Sequence, residues 1–187
     1  MSVLAPMGTK ALHLDGDEQL YEIVDGHRLE IPHMGALASI MASRLVFELQ
    51  SFAKIHNLGQ AVTETLFRLP LPKERNRRPD VAFVSFQRWP KGRREGLDEN
   101  AWNVVPEVAV EVVSPSDDAE ELLNKVGEYI QAGVLLVWLI YPKQSLVHAY
   151  ESLTNVRGFT RSDTLDGGTV LPGFKLPLGD LFLEVSS

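Results

Sequence analysis

Two carboxylates stand apart in this sequence. Asp80 opens an apolar stretch directly after Pro79, and Glu111 lies inside the valine-rich run 108–113. A charge within such a strand needs a partner, because an unpaired carboxylate away from water is costly. If adjacent strands bring the two within about 4 Å they repel by roughly 4 kcal/mol at an effective dielectric near 20, which calls for a cation or a shared proton. A hard divalent ion such as magnesium suits oxygen donors best. Lys125 borders an apolar helical stripe, between Leu122 and Tyr129, and could point its ammonium toward the same place. The plainer alternatives are that Glu111 marks, with Glu107, the solvated face of an antiparallel strand, and that Lys125 snorkels to water.

Other familiar centres are excluded because their residues are missing. The chain has no cysteine, which removes disulfides, thiolate metal sites and thiol nucleophiles and fits a reducing cytoplasm. There is no GxxxxGK[ST] loop, HExxH helix or GxSxG elbow, and no complete calcium loop follows Asp15 and Asp17. His13, His27, His33, His56 and His148 show no ligand spacing, and none is expected to have a catalytic duty.

The elements that must position these groups are legible in the apolar periodicity. Leu20 to Val24 and Arg28 to Ile31 flank Asp25-Gly26, a dipeptide suited to a tight hairpin. From His33 to about Asn57, Leu37, Met41, Leu45, Leu49 and Phe52 fall on one helical face, with Pro32 before and Gly59 after. Ala61 to Leu69 and Asp80 to Phe86 have strand character and are expected to be neighbours in a sheet, joined by a polar Pro- and Arg-rich stretch. In the strand from Glu107 to Val113, alternation puts Val108, Val110 and Val112 on one face and Glu107, Ala109, Glu111 and Val113 on the other. Ser114-Pro115-Ser116-Asp117-Asp118 reads as a helix start with a serine cap and Pro115 in the first turn. Leu122, Val126, Tyr129 and Ile130 supply the buried face, and Gly133 is the stop. The continuous apolar run 134–141 is a strand covered on both faces, which makes a parallel crossover, expected to be right-handed. Further strands are expected near Leu146 to Tyr150, Gly158 to Ser162 and Val170 to Leu178. The core order is therefore helix, three strands, helix, strand, an α/β (α+β) fold with a mixed sheet and hairpins added at both ends.

The length of 187 residues predicts one domain spanning 1–187. Neither a signal peptide in Met1 to Lys10 nor a run long enough to span a bilayer is present, so a soluble cytoplasmic protein is expected. Hydrophobic residues make up 44% and charged residues 23%, which excludes collagen, coiled coil and wholesale disorder. The formal net charge is −7, yet Lys73 to Arg94 holds Lys73, Arg75, Arg77, Arg78, Arg88, Lys91, Arg93 and Arg94 against only Glu74 and Asp80.

The run Tyr21-Glu22-Ile23-Val24-Asp25-Gly26, then Arg78-Pro79-Asp80-Val81, then Pro106 with Val110-Glu111-Val112-Val113-Ser114-Pro115-Ser116, then Lys125 with Tyr129, Gly133-Val134 and Trp138, and finally Leu171-Pro172-Gly173-Phe174, resembles the Uma-two restriction endonuclease-like family (domain of unknown function 820) of the PD-(D/E)xK nuclease superfamily. The superfamily's core order is the one read above from periodicity. The resemblance implies a magnesium-dependent endonuclease, with manganese an alternative ion, that hydrolyses DNA, cutting as a homodimer. It makes Asp80 and Glu111 the metal-binding and catalytic carboxylates, with the Val112 carbonyl and Glu22 as further ligands. Val113 stands where the superfamily lysine is expected, and Lys125 matches the lysine that this family supplies from the following helix, orienting water or offsetting charge on phosphate. The approach Met34-Gly35-Ala36-Leu37 departs from the family's polar, His-bearing one. On this reading Arg75, Arg77, Arg78, Arg88, Lys91, Arg93 and Arg94 grip phosphates and Trp89 stacks on a base. The alternatives are a catalytically degenerate fold that binds nucleic acid or regulates, and hydrolysis of a smaller phosphoester.

Overall fold

Positive φ at Asp25 (52°) and Gly26 (80°) turns strand β1 (Tyr21–Val24) back onto β2 (His27–Glu30), as the Asp-Gly pair requires. The computed structural model describes residues 19–182 except 95, 97 and 98. Met1 to Lys10, His13, Asp15 and Asp17 lie outside the described residues.

Helix α1 (Ala36–His56) buries Met41, Ala42, Leu45, Leu49 and Ala53 and ends on Asn57 at φ 52°. Leu37, expected on that buried face, is 42% exposed. Each four-residue step overshoots a full turn by about 40°, so a stripe centred on Leu45 has rotated off the core by the time it reaches Leu37.

Strand β3 (Gly59–Thr63) starts at a glycine whose backbone approaches the neighbouring strand so closely that a Cβ would sit 2.2 Å from the Val84 carbonyl. It stops at Glu64, which adopts φ 44°. The segment expected to run as one strand to Leu69 thus breaks, and β4 (Phe67–Leu69) leaves for a second sheet. That sheet includes β5 (Arg75–Arg77), a strand with no apolar alternation that exists because it pairs with β1 and β4, Asn76 opposite Ile23 and Arg68.

The main sheet continues with β6 (Val81–Ser85), β7 (Val108–Val112) and, after helix α2 (Ala119–Ala132), β8 (Leu136–Tyr141). β9 (Leu146–Tyr150) and β10 (Val156–Thr160) complete six strands in the order β10-β9-β8-β7-β6-β3. Only β7 and β8 are parallel, the pair joined by the crossover helix. The cap of α2 differs from expectation. Asp118, not a serine, takes the free N–H groups of Glu120 and Glu121, and Pro115 lies before the helix rather than in its first turn. A carboxylate cap also complements the positive end of the helix dipole.

Val108, Val110 and Val112 face the core formed with α1 and with β11 (Thr164–Gly167), β12 (Leu171–Pro177) and the short α3 (Leu178–Leu181). The other face of the sheet packs against α2, β4, Trp89 and Trp102. Glu111 therefore points to the α2 side, a direction set by the two-residue period of the strand. No helix among the described residues is long and apolar enough to cross a membrane.

Candidate active site

Asp80 precedes β6 just where the β6–β7 ladder ends, with Val81 opposite Val110. Beyond that last pair the side chain replaces the ladder, and Asp80 Oδ2 accepts the Val112 N–H at 2.6 Å. Among the described residues nothing donates to Oδ1. One strand away Glu111 is buried on the α2 side, where the Tyr129 hydroxyl donates to its Oε1 at 2.7 Å. Lys125 is one helical turn before Tyr129, so both project from α2 onto β7. Its Nζ lies 4.0 Å from Glu111 Oε2 and 3.4 Å from Glu22 Oε1.

Asp80, Glu111, Val112 and Lys125 line one cleft of about 500 Å³. Its walls are the β2–α1 connection, including His33, and the approach to α2 from Ser114 to Glu121. Three groups separated by tens of residues in the chain thus meet. Val113, the strand position where a lysine is absent, instead donates its N–H to Ile140 and packs in the α2-side core.

Burial dominates the electrostatics of both carboxyls. It pushes Asp80 up to about 6 against the opposing Val112 N–H and Lys125, with Glu64 and Asp117 adding to the rise. Burial likewise pushes Glu111 up to about 7, opposed by Lys125 and the Tyr129 hydroxyl and reinforced by Asp80 and Glu22. For Lys125 burial acts against the ammonium, but Glu111 and Glu22 outweigh it and its pKa rises. Tyr129 is raised well above the usual phenol range by burial and then by Glu111. One ammonium between Glu22 and Glu111 leaves Asp80 without a cation of its own.

Glu22 is not in the cleft wall. It is fully buried behind Lys125, its Oε2 taking Arg77 NH1 at 2.6 Å and its Oε1 taking the Arg78 N–H at 3.0 Å as well as Lys125. Its oxygens thus face cations and an N–H inside the protein, away from the cleft wall where the resemblance would have it approach a metal.

The basic segment is also reassigned. Arg77 is buried between Glu22 and Glu128, and Arg75 pairs with Asp25 at 2.7 Å and Glu128 at 3.2 Å. Arg78 lines the cleft but donates to the carbonyls of Tyr21 and Glu64, and burial lowers its pKa. Arg88 donates to the carbonyls of Val105, Pro106 and Gly133 and pairs with Glu107. This places it at the far end of β6, about 17 Å from Asp80 along a five-residue strand. Lys91 is at the same end, on Asn57. Arg93 stacks over Trp89, Arg94 is exposed, and neither lines the cleft. Exposed Lys73 pairs with Asp25. Trp89 is 6% exposed and packs edge-on against Trp102, so it has no face to offer a base. Of the eight cations, Arg75, Arg77, Arg78 and Arg88 are thus held by carboxylates and carbonyls of the protein itself.

Two partners were missed from sequence. Tyr129 is read from sequence as a core aromatic and as part of the family motif, but not as the donor to Glu111, although a buried phenol requires an acceptor. Glu128 precedes Tyr129 by one residue and pairs with Arg75 and Arg77. Among the described residues no three His, Cys, Asp or Glu side chains form a metal-binding group by themselves. The donor chemistry nevertheless fits a hard divalent ion: the carboxylates of Asp80 and Glu111 and the adjoining backbone carbonyl are all oxygen donors, and magnesium is bound through one or two carboxylates with the rest of its shell water.

A family model described as "Uma2: Putative restriction endonuclease" matches residues 9–179. Among solved structures, the chain is similar to a "putative nuclease belonging to DUF820" from Anabaena variabilis ATCC 29413, at a TM-score of 0.76 and 20% identity over 90% of this chain and 93% of that one. That likeness is one of fold. Among curated proteins none matches.

Proposed function

This chain belongs to the Uma2 restriction endonuclease family, a nuclease family, and within it we propose a magnesium-dependent endonuclease that hydrolyses DNA phosphodiester bonds, with manganese able to substitute. The observation that carries this reading is the pair of carboxyls, half-buried Asp80 and buried Glu111, lining one cleft with a single ammonium, Lys125. Burial, with smaller contributions from neighbouring carboxylates, raises both pKa values, and a bound cation would oppose that rise.

Asp80, Glu111 and the Val112 carbonyl would hold the ion, which when bound neutralises phosphate charge and lowers the pKa of water. The rest is the work of the chain itself. The Val112 N–H fixes Asp80 through Oδ2, leaving Oδ1 to the cleft. Tyr129 fixes Glu111 through Oε1 and so directs Oε2 toward Lys125. The Lys125 ammonium then orients a water or offsets charge developing on the phosphoryl oxygens. Arg78, the other cation in the wall, is the candidate for holding the substrate phosphate. We propose that the enzyme acts in the cytoplasm as one domain and as a homodimer, since cutting both strands of a duplex calls for two such sites.

A degenerate fold kept for nucleic-acid binding draws little support from the basic segment, because Arg75, Arg77 and Arg88 are held by carboxylates and carbonyls of the protein itself and Lys91 lies at the far end of β6. The test is cleavage of plasmid DNA with magnesium or manganese. Wild-type protein should cut, and Asp80→Ala and Glu111→Ala should be inactive yet folded. Undiminished cutting by Glu111→Ala would reject the site.

A further inference from the structure

Behind the cleft, charges alternate in one continuous chain. Asp25 meets Arg75 at 2.7 Å, Arg75 meets Glu128 at 3.2 Å, Glu128 meets Arg77 at 2.6 Å, Arg77 meets Glu22 at 2.6 Å, Glu22 meets Lys125 at 3.4 Å, and Lys125 meets Glu111 at 4.0 Å. The chain begins at the half-exposed β1–β2 turn and ends in the cleft. It joins β1, β5, α2 and β7, the elements that carry Glu22, Arg77, Lys125 and Glu111.

We infer that Arg77 and Glu22 are positioning residues that aim the Lys125 ammonium at Glu111, rather than groups that touch substrate or metal. The guanidinium makes this possible. Its Nε donates to Glu128 and its NH1 to Glu22, two bonds in fixed directions from one rigid plane. Glu128 and Lys125 lie three residues apart on α2, so one helix supplies both the anchor of Arg77 and the lysine that Glu22 receives. Glu22 cannot swing away, since Arg77 holds Oε2 and the Arg78 N–H holds Oε1. A lysine has four rotatable carbons and no directional preference of its own. Without Glu22, Lys125 would keep only Glu111 at 4.0 Å, beyond hydrogen-bond length.

This inference rests on the reading of Lys125 as the cation of the active cleft, so its test has one readout that does not need cleavage. Acetic anhydride labelling of the intact protein, read by peptide mass spectrometry, compares Lys125 with exposed Lys143 as the internal reference. In wild type Lys125 should be the slower of the two. In Glu22→Gln, which keeps the shape and an acceptor oxygen, and in Arg77→Lys, which keeps the charge but not the fork, Lys125 labelling relative to Lys143 should rise about tenfold, the loss of one charge-assisted hydrogen bond. The kcat for DNA should fall by a similar factor with KM little changed. Glu128→Gln, at the outer and more accessible end of the chain, should move both readouts the same way by a smaller factor, and it decides the matter if the inner variants do not fold. Unchanged Lys125 labelling in folded variants overturns the inference. A wild-type protein that cuts nothing rejects the nuclease reading and leaves the labelling result to decide this one.

Discussion

The Tyr129 hydroxyl donates to Glu111 Oε1 at 2.7 Å, across the packing of α2 on β7, with both residues buried. That bond fixes one oxygen of the carboxylate and leaves the other, Oε2, to Lys125 and the cleft. Tyr129→Phe removes the donor while keeping the ring that fills the core. A hydrogen bond to a charged group contributes about 1.5–3 kcal/mol, so cleavage should fall by about ten- to a hundredfold with nearly unchanged secondary structure. Circular dichroism alongside steady-state kinetics checks both halves.

Neutralising the two cleft carboxyls should separate stability from activity. Asp80→Asn keeps an oxygen for the Val112 N–H, and Glu111→Gln keeps one for Tyr129, but each relieves the repulsion and desolvation that raise both pKa values. Removal of an inadequately compensated buried charge is commonly neutral or stabilising. Each variant should melt at or a few degrees above metal-free wild type and be inactive. A large drop in melting temperature would mean that the carboxylates hold the fold.

The same shifts set a pH dependence. Asp80 titrates near 6 and Glu111 near 7 in the folded chain, above the ordinary 3.8 and 4.5. Between those limits the folded protein binds more protons than the unfolded one, so these two groups lower stability as pH rises from about 4 to 7. Metal-free wild type should therefore lose melting temperature over this interval relative to the Asp80→Asn, Glu111→Gln double variant. Added magnesium competes with those protons and should stabilise wild type more at pH 8 than at pH 5. A flat difference between the two proteins across pH would contradict the shifts.

How much of this was legible in the sequence differs by interaction range. The strand–helix–strand crossover, the strand carrying Glu111 and the closing Gly133 follow from local periodicity and appear where expected. Asp80, Glu111 and Lys125 could be named because their types are unusual for their surroundings, and one cleft brings them together. Partnership between distant charges could not be read. Arg75 and Arg77 look like surface cations until β5 is seen between β1 and β4, and β5 has no pattern of its own because its strand form comes from its neighbours. Leu37 failed by geometric drift along a straight helix, and the serine cap failed because Asp118 competes for the same N–H groups.

Arg88 separates the two readings of the basic segment. It joins Val105, Pro106, Gly133 and Glu107 at the end of the sheet remote from Asp80. Arg88→Ala should destabilise the protein by about 2–4 kcal/mol, since several buried acceptors lose their donor, as measured by urea denaturation. Lys91→Ala with Arg94→Ala should leave the salt dependence of DNA cleavage unchanged. A salt slope reduced by about two in that double variant would show that both cations contact phosphate.

Asp80 and Glu111 are proposed to share one divalent ion beside Lys125. A crystal of the protein soaked in manganese, with anomalous scattering recorded at the manganese edge, measures this without reference to catalysis. The expected result is an anomalous peak in the cleft, bonded to a carboxylate oxygen of each residue at about 2.0–2.2 Å, and no peak there in Glu111→Gln. A fully soaked wild-type crystal with density for both side chains and no peak between them would contradict it.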